Sequence, residues 1–514
     1  MLSQSEYNGK KFTRRHDLSP TLRFIIACTA WMSHQWGTVT QLSKQYLISR
    51  TFVYMLIHDL EDAIPQIFGE QTVCEKIIEK RDCYEYILSL RLEGKCGIEA
   101  ISTIMNRFGY PNNSVGFISQ ALNNIGSLLD NTLTTNEETI QLVIYASDEI
   151  FSKTKPILIT VDPVSSAILR MELADSRNAA EWKQHWDCLI ENGYYAVYLV
   201  SDEGTGMKSA KKEVLADVIH QPDTFHAVSH QLGSWVNRLE QAAYKAIQKA
   251  YDCYDKLDSA VSDNVIDKRI DAYEEAEKIA DQAIKLYDEF HEYYLFLINQ
   301  LTVFDNDGNL RDRTEAESNI KLALDLIMTL ENNKINKTIN RITNLLPDLL
   351  AYFNRAATIG NELKRIGISE DVLKDFCLAW QYRKNMIKAK HKQRRNFYKN
   401  KEKKKLSHIQ QALGYNYNAI FDIVYSKLDG IVQSSALVET INSIVRSYLN
   451  TTRNHISQNL LNLIMFYHNN RRYNGGKRKG KTPLEILTGN KQEKDWIQRL
   501  FEEVEKKEPT FFLE

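Results

Sequence analysis

Between residues 139 and 228 the sequence changes its period. Helical spacing on either side gives way to alternation and β-branched runs, the mark of strands in a half-buried sheet. Thr139 to Ser147, Ile157 to Val161 and Ala167 to Leu173 read as three strands in meander order. A helix from Asn178 to Glu191, a strand from Ala196 to Ser201, a helix from Thr205 to Val218 and a short strand around Thr224 to Val228 follow. This stretch reads as an α/β core in an otherwise helical chain.

Acids mark the ends of two of these strands. Asp148 closes the run Leu142-Val143-Ile144-Tyr145-Ala146-Ser147, and Asp202 closes Ala196-Val197-Tyr198-Leu199-Val200-Ser201. A third acid, Glu439, sits in Ser435-Ala436-Leu437-Val438-Glu439-Thr440-Ile441-Asn442-Ser443, which reads as a helix. Carboxylate oxygens are the hard ligands that Mg²⁺ prefers. A pair of such ions clamps the attacking and leaving oxygens of a phosphodiester. Acids at strand ends are also commonly solvated or capping residues, and Glu149, Asp162 and Glu203 are rivals here. Glu149 and Glu203 should point to the opposite face from their neighbours, and Asp162 should end the second strand before Pro163. Gly204-Thr205-Gly206 is either a phosphate-cradling turn at a helix start or only a tight turn. No P-loop Lys follows it, so ATP use is not indicated.

The first 135 residues read as short helices. Leu18 to Ser33 has Ser19-Pro20 as cap and first turn. The segment Thr38 to Tyr54 has a helix-turn-helix pattern whose second helix is capped by Ser49. Arg50, Thr51 and Tyr54 would lie on its exposed start, where a recognition helix meets DNA. A weaker second copy spans Gly97 to Ile101 and Ser114 to Leu122. Asn131 to Asn136 is a linker. From Ser234 to Tyr425 the sheet signal disappears, with heptad-like spacing through Ile266, Ile270, Tyr273, Ala276, Ala280, Ala283, Tyr287 and Phe290. Helices are expected over Glu315 to Leu330, Lys337 to Phe353 and Glu370 to Ala389. This insertion ends in Arg383 to Lys405, where 12 of 23 residues are Lys or Arg. Such a run is either a solvated helix face or a DNA-backbone contact, with Arg394 and Arg395 at its centre.

The chain of 514 residues is 43% hydrophobic and 25% charged, ordinary globular composition. Its net charge of −1 hides alternating acidic and basic stretches. Seven scattered Cys without a CxxC pair read as reduced, mostly buried thiols. No apolar run approaches the roughly 18 residues of a membrane span, and the start has no secretory signal. A soluble, cytoplasmic protein is expected, associated with the nucleoid when bound to DNA.

A meander followed by alternating helix and strand is ribonuclease-H-like topology, and at this point the residues resemble the DDE transposase/integrase superfamily. Ile157-Leu158-Ile159-Thr160-Val161-Asp162-Pro163 is similar to its second strand, just after the first catalytic Asp. Glu439-Thr440-Ile441-Asn442-Ser443-Ile444-Val445-Arg446 precedes Tyr467-His468-Asn469-Asn470-Arg471-Arg472 and Lys481-Thr482-Pro483-Leu484-Glu485-Ile486-Leu487-Thr488-Gly489. That order is similar to bacterial insertion-sequence transposases. The long interval between Asp202 and Glu439 resembles superfamilies with helical insertions, such as hAT and Mutator-like elements. Their C/D-x-x-H motif has a counterpart in Asp223-Thr224-Phe225-His226.

The resemblance implies a multidomain α+β protein: helical DNA-binding units at 1–135, a ribonuclease-H-like core at 136–233 and 429–514, and an all-helical insertion at 234–428. It implies Asp148, Asp202 and Glu439 as catalytic ligands of two Mg²⁺, with Mn²⁺ able to substitute. Asp148 would touch both ions. The partners would be double-stranded DNA, both transposon ends and target, and a second copy of the chain in a dimer or larger assembly; no membrane is involved. His226 would touch the scissile phosphate or a displaced base, or be structural. Arg446, Arg471, Arg472, Lys477 and Arg478 would contact DNA. The activity implied is cleavage at transposon 3′ ends and strand transfer. An inactive DNA-binding derivative and a structure-specific nuclease on the same core are the alternatives.

Overall fold

A computed structural model describes residues 4–7, 10–13, 17–33, 35–68, 80–135, 139–202, 204–259, 263–389 and 391–512. The chain divides into two compact units, Met1–Glu79 and Lys80–Glu514.

In the first unit a small antiparallel hairpin, β1 (Gln4–Tyr7) with β2 (Lys10–Thr13), precedes three helices. These are α1 (Pro20–Met32), α2 (Thr38–Gln45) and α3 (Arg50–Phe68). Ser19 starts α1 by accepting the Leu22 amide at 3.2 Å, with Pro20 in the first turn where its missing N–H costs nothing. The turn between α2 and α3 passes through Leu47 at φ 52°, and Ser49 accepts the Phe52 amide at 3.0 Å to cap α3. Ile26, Leu42, Ile48, Val53 and Leu56 make one small core. The expected pair of helices and its cap are where the pattern put them.

The second unit opens with α4 (Lys80–Leu88), α5 (Ile98–Arg107) and α6 (Val115–Ser127). A five-stranded sheet follows, built from β3 (Gln141–Ser152), β4 (Lys155–Val161), β5 (Ile168–Leu173), β6 (Tyr194–Ser201) and β7 (Ile219–Pro222). Its order is β5-β4-β3-β6-β7, with the first three antiparallel and β6 and β7 parallel to β3. α7 (Ala179–Glu191) and α8 (Thr205–Val214) cover one face. There Trp182, Trp186 and Leu189 pack on Tyr145, Leu158, Leu169 and Leu199. Side chains alternate along a strand, so Ile144, Tyr198 and Val200 face the other side, against Val432.

Two expectations need correction here. The last strand is Ile219–Pro222, not 224–228, where the chain already turns into the π-helix Phe225–His230. Pro222 cannot donate to a sheet ladder, and Asp223 starts the helix by accepting the Ala227 amide at 2.9 Å. Asp148 also does not end its strand: β3 runs on to Ser152 with Asp148 opposite Ile159. It lies where the parallel neighbour β6 stops, since the last β3–β6 pair is Ser147 with Ser201.

From residue 231 to 429 the described elements are helices, apart from an isolated bridge between Phe304 and Leu310. α9 (Gln231–Asp258) and α10 (Asp263–Gln300) form a long antiparallel hairpin whose seam buries Ala276, Ala280 and Phe290. α11 (Arg313–Met328), α12 (Asn333–Leu349), α13 (Ala351–Lys364), α14 (Glu370–Lys388), α15 (Lys392–Leu413) and α16 (Tyr417–Asp429) follow. They share one large apolar core that includes Ala227 and Val228. The single helix expected over 337–353 is two, broken at Leu350, because Pro347 withdraws an N–H from the last turn of α12. The chain returns to the sheet with α17 (Ala436–Thr451), α18 (Gln458–Asn470), α19 (Pro483–Thr488) and α20 (Trp496–Lys507).

α18 protects the edge strand β5. Asn469 accepts the Ile168 amide at 2.8 Å and donates to its carbonyl at 2.9 Å. Gln458 does the same for Leu173 N–H and the Met171 carbonyl, satisfying an edge that would otherwise pair with another chain. Gly126 of α6 lies so close to α18 that a Cβ there would meet the Asn459 carbonyl at 2.3 Å. Of the thiols, Cys83 and Cys377 are buried and Cys28, Cys96, Cys188 and Cys253 are half-buried, so burial is less general than expected. Among the described residues no helix is long and apolar enough to cross a membrane.

Candidate active site

β3 and β6 bring Asp148 and Asp202 to the same end of the sheet, and α17 lays its first turn, with Glu439, across that end. All three line one cleft of about 450 Å³, together with Asp223, His230, Arg341 and Ser435. The face of β3 decides which acid takes part. Asp148 points to the α17 side, where Asn442 Nδ2 donates to its Oδ2 at 2.8 Å and the Glu149 amide to its Oδ1 at 2.9 Å. Glu149 points the opposite way and pairs with Arg177 at 3.0 Å. Asp162 is spent on a turn, its Oδ2 accepting both the amide and hydroxyl of Ser165. Glu203 lies outside the described residues.

Asp148 resists ionisation in this setting. Burial pushes its carboxyl up to about 7; the Glu149 amide opposes that, while the negative charges of Glu439, Asp202 and Glu149 add to it. Asp202 accepts the Gly204 amide at 2.9 Å, so the glycine turn holds this acid's carboxylate. Glu439 is partly exposed and pairs with Arg446 at 3.5 Å along α17.

Arg341 and His230 line the same cleft, and the three carboxylates are the kind of ligand that would hold a hard divalent cation. Among the described residues no three His, Cys, Asp or Glu side chains already stand close enough around one point to do so. The carboxylates are gathered but not closed on an ion.

Beneath the acids, on the α7 side, lies a buried polar chain. Ser147 meets Thr160 at 2.9 Å, Thr160 meets His185 Nε2 at 3.0 Å, and His185 Nδ1 meets Glu172 at 3.2 Å. A carboxylate only accepts, so the ring donates from Nδ1 and takes the Thr160 proton at Nε2. Burial holds His185 down at about 4, neutral.

The expected DNA contacts divide. Arg50, Thr51 and Tyr54 are exposed together at the start of α3, and Arg394 and Arg395 are exposed on α15. Arg471 lies over the Tyr467 ring at 5.3 Å. Arg472 is taken up within the fold by both oxygens of Glu485 at 3.0 Å and by the Gly480 and Gln492 carbonyls. Arg478 is likewise taken up by the Pro163 and Val164 carbonyls. The Thr-Pro-x-Glu phrase has a structural cause as well: Thr482 and Glu485 form a capping box and Gly489 closes α19 at φ 75°. The side chains of His226 and Lys477 lie outside the described residues. His230, one helical turn on from His226, lines the cleft.

Three residues of the cleft, and Asn442 bonded to Asp148, carried no functional signal in the sequence. His230 follows the last strand on the π-helix, and Arg341 comes from α12, so only the folding of the helices after residue 234 brings Arg341 to the acids. Asn442 and Ser435 stand in the Glu439 phrase, where nothing local marks them for a role.

Residues 144–301 match the family described as transposase, Mutator family. The matched segment holds Asp148 and Asp202 and stops before Glu439. This bears out the resemblance to the transposase/integrase superfamily and supports a transposase role, with nucleotidyl transfer as the general chemistry of that family. A solved structure, the Drosophila P element transposase strand transfer complex, is similar at 15% identity with a TM-score of 0.26. The similarity covers 89% of this chain and 100% of that one. At that score it decides nothing about the site. No curated protein matches the sequence.

Proposed function

We propose that the chain is a DDE-type transposase with a ribonuclease-H-like core, cutting transposon 3′ ends and joining them to target DNA at Asp148, Asp202 and Glu439. The observation that carries this reading is the convergence of these acids, from β3, β6 and a helix more than two hundred residues later, on one cleft. Bound there, two Mg²⁺ or Mn²⁺ ions would supply charge neutralisation for the attacking and leaving oxygens. Asp148, Asp202 and Glu439 would hold them. Water attacks the phosphorus at the transposon end and the 3′ oxygen leaves with a proton. That 3′-hydroxyl then attacks a target phosphodiester, so one P–O bond forms as another breaks. Asn442 and the Gly204 amide hold the carboxylates while DNA enters.

In the same reading α3 reads the ends through Arg50, Thr51 and Tyr54, and Arg394, Arg395, Arg446 and Arg471 meet phosphates. Two ends must be held at once, which calls for at least two copies of the chain. The insertion walls the cleft through Arg341, and His230 lines it from the π-helix after β7.

Strand transfer tests it. Purified protein, Mg²⁺, a pre-cleaved end from the DNA flanking its gene and a supercoiled plasmid are incubated beside Asp148→Asn, Asp202→Asn and Glu439→Gln. Joining by the wild type, lost in all three variants with DNA binding kept, is the expected result. Binding without joining by the wild type would make the chain a DNA-binding derivative. Cutting of DNA that lacks the ends would make it a nuclease.

A further inference from the structure

We propose that Asp223 is a positioning residue that sets the Glu439 helix against the sheet; this rests on the catalytic reading of Glu439. Asp223 stands at the point where the chain leaves β7 for the insertion. Its amide donates to the Ser201 carbonyl at 2.9 Å, so its backbone is fixed next to Asp202. Its side chain reaches the point where the chain comes back. Oδ2 accepts the Ser435 amide at 2.8 Å and the Ser435 hydroxyl at 2.6 Å. The next residue repeats the link, with the Thr224 amide donating to the Gln433 carbonyl at 3.1 Å.

Ser435 is the N-cap of α17, and Glu439 lies one turn on, its amide bonded to the Ser435 carbonyl at 3.2 Å. Helix starts have amides without intrahelical partners. Ser435 does not cap α17 with its own side chain; its hydroxyl is given to Asp223 instead. Asp223 is 3% exposed, so the link is made away from bulk water, where it is strongest. One residue therefore registers the element of one catalytic acid to the element of another, across an excursion of more than two hundred residues. A helix start that slipped by an ångström would carry Glu439 with it, and catalysis is steeply sensitive to such displacement.

Both Ser435 donors go to one oxygen, and that gives the test its discrimination. An amide oxygen has two lone pairs and can take both, so Asn should replace Asp in a clamp and fail in any role that needs negative charge. Strand-transfer rate and DNA affinity are measured for Asp223→Ala, Asp223→Asn and Ser435→Ala, with hydrogen exchange at the amides of residues 436–439.

The expected result is a roughly 100-fold slower rate for Asp223→Ala at unchanged DNA affinity. Asp223→Asn should restore most of it, and Ser435→Ala, which keeps the backbone donor, should fall between. Exchange at 436–439 should be faster in Asp223→Ala and return toward wild type in Asp223→Asn. An Asn variant as inactive as Ala would mean that the charge itself acts in the cleft, and the proposal would be wrong. An Ala variant with wild-type rate and exchange would overturn it too. If Glu439→Gln joins DNA normally, the catalytic reading fails instead, and the exchange measurement still decides the clamp by itself.

Discussion

Asp148 and Glu149 are neighbours with opposite fates, and the alternation of a strand is the whole reason. One faces α17 and two other acids; the other faces Arg177 on the far side of the sheet. Exchanging the roles of such residues needs a slip of one position, which would also turn Val143 and Tyr145 out of their core. Glu149→Gln is accordingly expected to keep strand transfer where Asp148→Asn loses it, read in the same plasmid assay. The buried histidines give a second residue-scale prediction. His185 and His468 are both held neutral by burial, down at about 4 from an ordinary value near 6.5. The unfolded chain takes up protons below that ordinary value and the fold does not. Stability is therefore full above about pH 6.5 and is lost as pH falls toward 4, by on the order of 2–3 kcal/mol per histidine. Urea midpoints at pH 7 and pH 5 would show the loss; equal midpoints would mean that these rings are not held neutral.

At the scale of elements, the basic segments separate into those that bind the fold and those left to bind something else. Arg472 joins α18 to α19 through Glu485, so Arg472→Ala should lower stability by about 1–3 kcal/mol and leave the salt dependence of DNA binding unchanged. Arg394 and Arg395 are exposed on α15. Replacing both should reduce the slope of log affinity against log salt by about 0.9 for each phosphate that is no longer neutralised. Titrations at several salt concentrations check both; a reversed assignment would show as an altered slope for Arg472→Ala alone. On α3, Thr51→Ala or Tyr54→Ala should weaken specific binding more than binding to unrelated DNA. About 1–3 kcal/mol of discrimination is expected where a base edge is read.

The whole molecule shows what a sequence can and cannot disclose. Ser19 and Ser49 announced their helices, because caps act within a turn of their own position; the Thr482–Glu485 capping box was read only as part of a family phrase. The period-two runs announced four of the five sheet strands and the faces of β3. What stayed hidden depends on interactions between distant residues. The turn at Leu47 was expected, whereas the break at Leu350 fell inside an expected helix whose only local warning is Pro347. The last strand was misplaced because the Pro222–His230 segment carries both strand and helix signals, and Asp223 settles it by starting a helix. Arg341 reaches the site only after the insertion has folded, and Asn442 and Ser435 only after the chain has returned from it.

A crystal structure of the chain on its DNA ends with Mn²⁺, read by anomalous scattering, would test the carboxylate triad at the atoms themselves. Two peaks are expected in the cleft, both touching Asp148, with Asp202 on one and Glu439 on the other. Peaks held by Glu149 or Asp162, or no peak at Asp148 in a complex that joins DNA, would contradict the assignment.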